Sequence, residues 1–311
     1  MRKTSVPSRR LLPLLASILL AVATARANDP APALIGDAAC VACHADEQAP
    51  FAHTVHGKLF RAENALTPRM KLGCEACHGP SSLHAERNGA TDVPGFVAFG
   101  ASSPAMIATE NAVCLECHQR GAQTLWKGSA HQLTDLACAS CHAVMKEISP
   151  RHLLAKKDQI DTCASCHPTI RSQLYRRSHM PLRPGYQPER EGKMECSSCH
   201  NPHGTVSEHL LKAITVNDGC YECHADKRGP FAFEHPPVTE NCLNCHVPHG
   251  STQPYMLKQA APRLCQQCHI GDRHPSDPRA PGSRFVIGAA CQSCHVDVHG
   301  SNHPSGNLYT R

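Results

Sequence analysis

Hydrophobic and polar positions along this chain keep no period for long. One apolar run stands out, Leu11 to Thr24, and it follows the basic residues Arg2, Lys3, Arg9 and Arg10. Ala25-Arg26-Ala27 then offers small residues around a cleavage point. Residues 1–27 are therefore expected to be a secretory signal peptide, with the mature chain beginning near Asn28. The run is shorter than the ~20 residues a spanning helix needs, and Pro13 interrupts it. No later stretch is apolar enough to cross a membrane as a helix. Strand-like alternation never lasts more than a few residues. The predicted elements are short helices ending at cysteine-rich sites, such as Thr109 to His118 and Thr239 to His246, each with a threonine placed to cap its start. Loops rich in proline and glycine fill the rest.

Composition makes an ordinary packed core implausible. Aromatic residues are 4% of the chain, while proline and glycine number 25 and 20. Something other than side chains must supply apolar surface to bury.

The cysteines say what that is. Cys196-Ser197-Ser198-Cys199-His200 is a Cys-x-x-Cys-His unit, the attachment signature of c-type haem. On one helical turn residues i and i+3 share a face. Two thiols so placed form thioethers to the two vinyl edges of one porphyrin. The histidine that follows becomes the proximal iron ligand. The unit recurs at Cys40/Cys43, Cys74/Cys77, Cys114/Cys117, Cys138/Cys141, Cys163/Cys166, Cys220/Cys223, Cys242/Cys245, Cys265/Cys268 and Cys291/Cys294. The closing histidines there are His44, His78, His118, His142, His167, His224, His246, His269 and His295. All 20 cysteines are used. Half a zinc site or a thioredoxin-like pair also uses Cys-x-x-Cys, but neither needs a histidine after every second cysteine. A disulfide scaffold does not need one either. The expected cofactor is ten covalently bound haem c groups, whose flat faces stand in for a core.

Of the 23 histidines, thirteen lie outside these motifs. Cutting the chain after each motif leaves at least one in every segment. The candidate distal ligands are His56, His84, His131, His152, His179, His203, His235, His249, His274 and His299, with His53, His209 and His303 as spares. Met180 or Met256 is a substitute at an occasional haem. Which haem each histidine serves is not set by the sequence. Two histidines per iron leave no open position for a substrate, and they lack the methionine that raises the potential. Low-potential electron transfer is the expected work, and no catalytic residue is assigned.

The motifs also repeat. His56, Cys74, Cys114, His131, Cys138 and Cys163 match His179, Cys196, Cys220, His235, Cys242 and Cys265. The reading is one decahaem domain over 28–311, with pseudo-repeats at about 53–167 and 179–269 and a last unit at 270–311. A step of four haems fits best, and a step of five stays open. The fold class is a multihaem cytochrome c, mostly irregular with short α-helices and little or no β. Its repeats predict an elongated, quasi-linear haem array.

Charge changes little. The formal net charge of +5 is carried entirely by five basic residues of the leader. Haem propionates would make the mature protein acidic, and nothing reads as a nucleic-acid surface. The motif number and spacing, the leader, and the His56-Gly57-Lys58 and Asn201-Pro202-His203-Gly204 elements resemble the DmsE/MtrA family of periplasmic decahaem cytochromes. That resemblance implies a periplasmic protein embedded in an outer-membrane β-barrel porin. It also implies periplasmic cytochromes on one side and a surface multihaem cytochrome or terminal reductase on the other. Two other classes remain at this stage, a free periplasmic electron shuttle and a multihaem oxyanion reductase.

Overall fold

The computed structural model describes residues 30–61, 63–100, 104–182, 194–270 and 291–310. The expected leader and candidate ligand His274 lie outside these residues. The chain divides into two compact units, Met1–Ala98 and Phe99–Arg311.

All ten motifs fold in one way. The backbone N–H of the closing histidine donates to the carbonyl of the first cysteine at 2.9–3.1 Å. Each motif is thus one closed α-turn. Both thiols lie on one face of it, and the histidine starts where the turn ends.

The first unit holds α1 (Asp37–Val41), α2 (Ala45–His53), α3 (Val55–Leu59), α4 (Glu75–His78) and α5 (Ser82–Glu86). Thr54 separates α2 from α3, and its buried hydroxyl accepts the Gly57 N–H at 3.0 Å as an N-cap. Gly57 lies where α3 folds back on α2, and a Cβ there would meet the Phe51 carbonyl. Glu75, inside the second motif, is 2% exposed. Its carboxylate accepts the N–H groups of Ile35, Gly36 and Ser81. A buried carboxylate is tolerated because those donors replace water. It ties the incoming chain to the second motif.

The second unit holds α6 (Pro104–Leu115), α7 (Ala130–Leu133), α8 (Cys138–Cys141), α9 (Gln159–Ala164), α10 (Pro168–Leu174), α11 (Cys196–Cys199), α12 (Val216–Tyr221) and α13 (Pro236–Glu240). The last three motifs open on 3₁₀ turns at Cys242–Asn244, Cys265–Gln267 and Cys291–Ser293. Ser129, Asp158 and Thr215 cap α7, α9 and α12. The expected helix starts need correction. Thr109 lies inside α6 and Thr239 inside α13. A proline opens each of these helices, since its fixed φ suits the first helical position. Asn241 caps the turn at Cys242 instead, accepting from Leu243.

Among the described residues there is no strand, only isolated bridges such as His200 to Leu211 and His246 to Leu257. Among the described residues Ile160, Leu174 and Met180 form one small apolar cluster, with Leu182, Met194 and Cys196 against it, and other buried apolar side chains such as Leu83, Trp126 and Leu257 lie outside it.

Polar side chains do the joining that a core would do elsewhere. Asp37, Asn111 and Asn217 each stand three residues before the first cysteine of a motif. Each accepts the backbone N–H of the first cysteine of the next motif, Cys74, Cys138 or Cys242, at 2.7–2.8 Å. Gln159 does the same one residue further along, at Ser197. Asn111, Gln159 and Asn217 are buried, and their amide N–H groups are also used. The consequence is that first cysteines meet in pairs. Cys40 interacts with Cys74, Cys114 with Cys138, Cys163 with Cys196, Cys220 with Cys242 and Cys265 with Cys291, thiol to thiol.

Asn217→Ala removes bonds to the Val238 and Thr239 carbonyls and leaves the Cys242 N–H without its acceptor. The expected loss of stability is roughly 1–3 kcal/mol. Denaturant unfolding of the holoprotein, followed by circular dichroism, measures it. A midpoint equal to that of the parent would show that the stitch is unimportant.

Candidate haem sites

Each site is built from a motif turn and a second imidazole brought from elsewhere in the sequence. A metal–imidazole nitrogen bond is about 2 Å. Two imidazoles on opposite sides of one iron therefore hold their ring centroids about 6 Å apart, allowing roughly 1 Å from each nitrogen to its ring centre. In the first unit His84 faces His44 at 6.2 Å. In the second unit six more pairs repeat that separation. His203 faces His142 at 6.1 Å, His131 faces His167 at 6.2 Å, and His249 faces His200 at 6.0 Å. His179 faces His224 at 6.3 Å, while His235 faces His269 and His299 faces His246, both at 6.2 Å. Every pair joins one motif histidine to one histidine outside the motifs. The spacing and donor set fit an iron ligated from both sides.

Ring orientation is also fixed. In each of the seven pairs one Nδ1 lies within hydrogen-bond distance of a backbone carbonyl. The bonds are His84 to Ala90, His131 to Pro202, His142 to His152, His179 to Pro248, His200 to His209, His235 to Val298 and His246 to Tyr255, at 2.8–3.1 Å. With Nδ1 donating, the Nε2 lone pair is the one left for metal, and the imidazole becomes a stronger ligand. The acceptors His152, His209 and Tyr255 share one local design. Each sits in a loop that returns to its own motif, and each has φ between 55° and 62°. His152 thus enters the site through its carbonyl, and among the described residues its ring stacks on no motif histidine. Tyr255 supplies its carbonyl to His246 in the same way.

The two cysteines of a motif have different surroundings. First cysteines turn toward a neighbouring motif. Exposure varies among second cysteines: Cys43, Cys223 and Cys294 are exposed, whereas Cys77 is half-buried like every first cysteine. Each of these four donates its backbone N–H to the first cysteine of its own motif, at 3.1–3.2 Å. None of the four enters the first-cysteine pairs described above. Of the four, Cys223 also comes near a thiol of the preceding motif, Cys199. Attachment of haem at Cys43, Cys77, Cys223 and Cys294 rests on the motif spacing and the closed turn, and it belongs to the proposal below.

The remaining motif histidines have their own surroundings. Nδ1 of His78 lies 2.9 Å from the Val97 carbonyl, and the ring stacks on Phe96 at 5.5 Å. His295 bonds the Leu308 carbonyl, in a loop like those of His142, His200 and His246. His118 closes the turn that follows α6. Candidate His56 lies in α3 with its ring edge-on to Phe60 at 5.9 Å. Of the spares, His53 ends α2, His209 supplies its carbonyl, and His303 accepts the Ser305 N–H.

Burial sets the protonation state. Desolvation holds His78, His203, His249 and His299 below the ordinary imidazole value. A neutral ring keeps its lone pair for a metal. Burial also pushes the Cys74 thiol up to about 12 and Cys220 and Cys265 to about 11. These thiols are protonated and unreactive as nucleophiles until attachment chemistry engages them. Among the described residues no three or more of His, Cys, Asp and Glu converge as a cage for a bare metal ion. That disfavours the zinc reading of the cysteine pairs.

Comparison with known proteins agrees with this construction. The "Doubled CXXCH motif" family matches residues 187–229 and 235–274. The "Cytochrome c-type protein NrfB-like" family matches 74–166, and "Cytochrome c554 and c-prime" matches 21–79. "Multiheme cytochrome MtrA" of Shewanella baltica is 42% identical over 287 residues, covering 89% of this chain and 81% of its own. The chain belongs to the MtrA/DmsE family of multihaem c-type cytochromes. "Cytochrome c-type protein NrfB" of Escherichia coli is 34% identical over 137 residues, covering 42% of this chain and 65% of its own. This multihaem cytochrome is therefore a haem-binding electron carrier rather than an enzyme, and the oxyanion-reductase alternative falls away.

The lowered histidines give a pH expectation with a definite sign. Their folded-state values lie below the usual ~6.5, so the stability they contribute is full above that pH and is lost as pH falls through the folded values. Acid titration of the holoprotein should show its six-coordinate low-spin spectrum unchanged at about pH 6.5 and lost only on the acid side. Ligand loss beginning on the alkaline side of that point would contradict the burial argument.

Proposed function

We propose that this cytochrome carries ten covalent haem c groups with histidine on both sides of each iron, and conducts electrons across the outer membrane inside a β-barrel porin. Every cysteine takes part, Cys43, Cys77, Cys223 and Cys294 included. The observation that carries the reading is the order of neighbours in the second unit. Consecutive motifs interact through their thiols all the way along. Cys114 meets Cys138, Cys163 meets Cys196, Cys220 meets Cys242 and Cys265 meets Cys291. Between these pairs, Cys141 lies within electrostatic range of Cys166, Cys199 of Cys220 and Cys245 of Cys268. Chain order and spatial order coincide, so each haem attached there has the next one as a neighbour. A succession of this kind suits one-dimensional conduction better than storage.

Saturated irons offer no position for a substrate, which suits a carrier. No helix among the described residues is long and apolar enough to cross a membrane. A chain without its own span crosses hydrocarbon only when another protein encloses it, and a closed β-barrel does that without exposed edges. Its electron donors and acceptors would be a periplasmic cytochrome on one side and a surface cytochrome, mineral or terminal reductase on the other. The proposed location is the periplasmic side of the outer membrane, within the barrel complex.

Two measurements test this. Intact mass of the mature protein should equal the chain from about Asn28 plus ten haems; a free thiol, or a mass short by one haem, would contradict the count. Liposomes loaded with a reducible dye should take up electrons from an external donor when cytochrome and barrel are inserted together, and not with barrel alone. A cytochrome that binds no barrel and stays soluble would overturn the conduit and favour the periplasmic shuttle.

A further inference from the structure

Three loops of the second unit share a design that touches two sites each. They are Pro202-His203-Gly204, Pro248-His249-Gly250 and Val298-His299-Gly300. In the first, the His203 ring faces His142 of the fourth motif. The carbonyl just before it, on Pro202, bonds Nδ1 of His131 at 2.8 Å, and His131 faces His167 of the fifth motif. In the second, His249 faces His200 of the sixth motif, while Pro248 bonds His179, which faces His224 of the seventh. In the third, His299 faces His246 of the eighth motif, while Val298 bonds His235, which faces His269 of the ninth.

The glycine that follows allows this. Gly204, Gly250 and Gly300 have φ of 123°, 152° and 134°, in the range that side chains avoid. A Cβ would meet the Leu125 carbonyl at Gly204, the Gln173 carbonyl at Gly250 and the Phe231 ring at Gly300. Each obstructing residue lies just upstream of the histidine whose Nδ1 the loop receives. Hence the glycine lets the loop press against the segment carrying His131, His179 or His235. Backbone bonds hold two of the contacts, Arg177 with Ser251 and Phe233 with Ser301 in both directions. Asn201 holds the other through the Ala122 carbonyl.

We infer that each of these loops sets the ligation of two successive irons at once, as ligand to one and as orienting acceptor for the ligand of the next. The inference rests on the two-histidine ligation proposed above. Its consequence is that haems four and five, six and seven, and eight and nine are tuned in pairs. A shift of one loop moves a ligand off one iron. On the neighbouring iron it weakens the Nδ1 hydrogen bond that raises ligand basicity. The carbonyls of His152, His209 and Tyr255 lack this property, because each serves the motif of its own loop.

Two variants of the holoprotein separate the ideas, read by electron paramagnetic resonance and redox titration of all haems. His203→Met keeps the loop backbone and changes one ligand. It should alter one low-spin signal, raise one potential, and give the absorption band of histidine–methionine iron. Gly204→Ala keeps every ligand and displaces the loop. It should alter two signals, with intensity equal to two haems. No change in His203→Met would overturn the ligation itself. One altered haem in His203→Met with one or none in Gly204→Ala would leave the ligation standing and overturn the shared loop. If Gly204→Ala fails to mature, Gly300→Ala with Phe231→Ala puts the same question to haems eight and nine, since the obstruction there is a side chain. Failure of that chain to mature, or a change confined to one haem, also overturns the inference.

Discussion

The structure depends on one hydrogen bond made ten times, from the N–H of a histidine to the carbonyl of the cysteine four residues before it. That bond closes a turn and puts two thiols and an imidazole on one small surface. A single turn is too short to be stable in water, because its ordering cost is offset by very few hydrogen bonds. Each turn must therefore be held from outside. The apolar core is too small to do so, and buried amides and carboxylates take over. Asn111, Asn217 and Gln159 close onto the next motif, and Glu75 gathers the chain that leads to the first. Covalent haem then adds cross-links of its own, restricting the unfolded chain much as disulfides do.

Two kinds of junction alternate along the second unit. From the third, fifth and seventh motifs to the even one after each, a polar side chain holds the backbone and first cysteines meet. From an even motif to the odd one after it, a proline- or valine-histidine-glycine loop serves both sites. The step of the structure is thus two motifs, a divisor of the four-haem step expected from histidine positions. The matched family named for a doubled motif covers two such stretches.

Much of the site is legible in the sequence because its chemistry is local. Both cysteines and the proximal histidine lie within five residues, and spacing alone defines them. Spacing does not tell the two cysteines apart, however. The distal partners are legible only as a set. His203 follows the sixth motif yet faces the fourth, and His131 precedes the fourth yet faces the fifth. Nothing in a linear pattern states such a crossing, since it arises from how loops fold back. His152 also offers its backbone carbonyl, which no linear pattern states. Some signals lie in the sequence for a closer reading. Asp37, Asn111 and Asn217 stand at one offset before Cys40, Cys114 and Cys220. The spacing His200 to His203 returns at His246 to His249. A rule that favours threonine caps misplaces the helix starts, because prolines begin α6 and α13.

For an electron carrier this construction has a direct consequence. An iron that changes charge disturbs its ligands, and the cost of that disturbance slows transfer. In each paired site one imidazole would be fixed at both ends, by the iron that the paired geometry fits and by a carbonyl on Nδ1. The motif ring also belongs to a turn that thioethers would hold against the same porphyrin. The seven paired sites all use one carbonyl-bound ring, although it is the motif ring at His142, His200 and His246 and the ring from outside the motifs at His84, His131, His179 and His235. Equal ligand sets with equal second partners bring the potentials of successive irons closer together, since axial identity and hydrogen bonding are two of the main terms that set them. Differences between neighbours must then come from burial and nearby charge. Distal rings divide by what surrounds them. Those at His203, His249 and His299 are held low by desolvation, whereas those at His131, His179 and His235 rest Nδ1 on a loop carbonyl. The alternation of junctions is thereby also an alternation of which side of the iron carries the hydrogen bond, on a fixed ligand set.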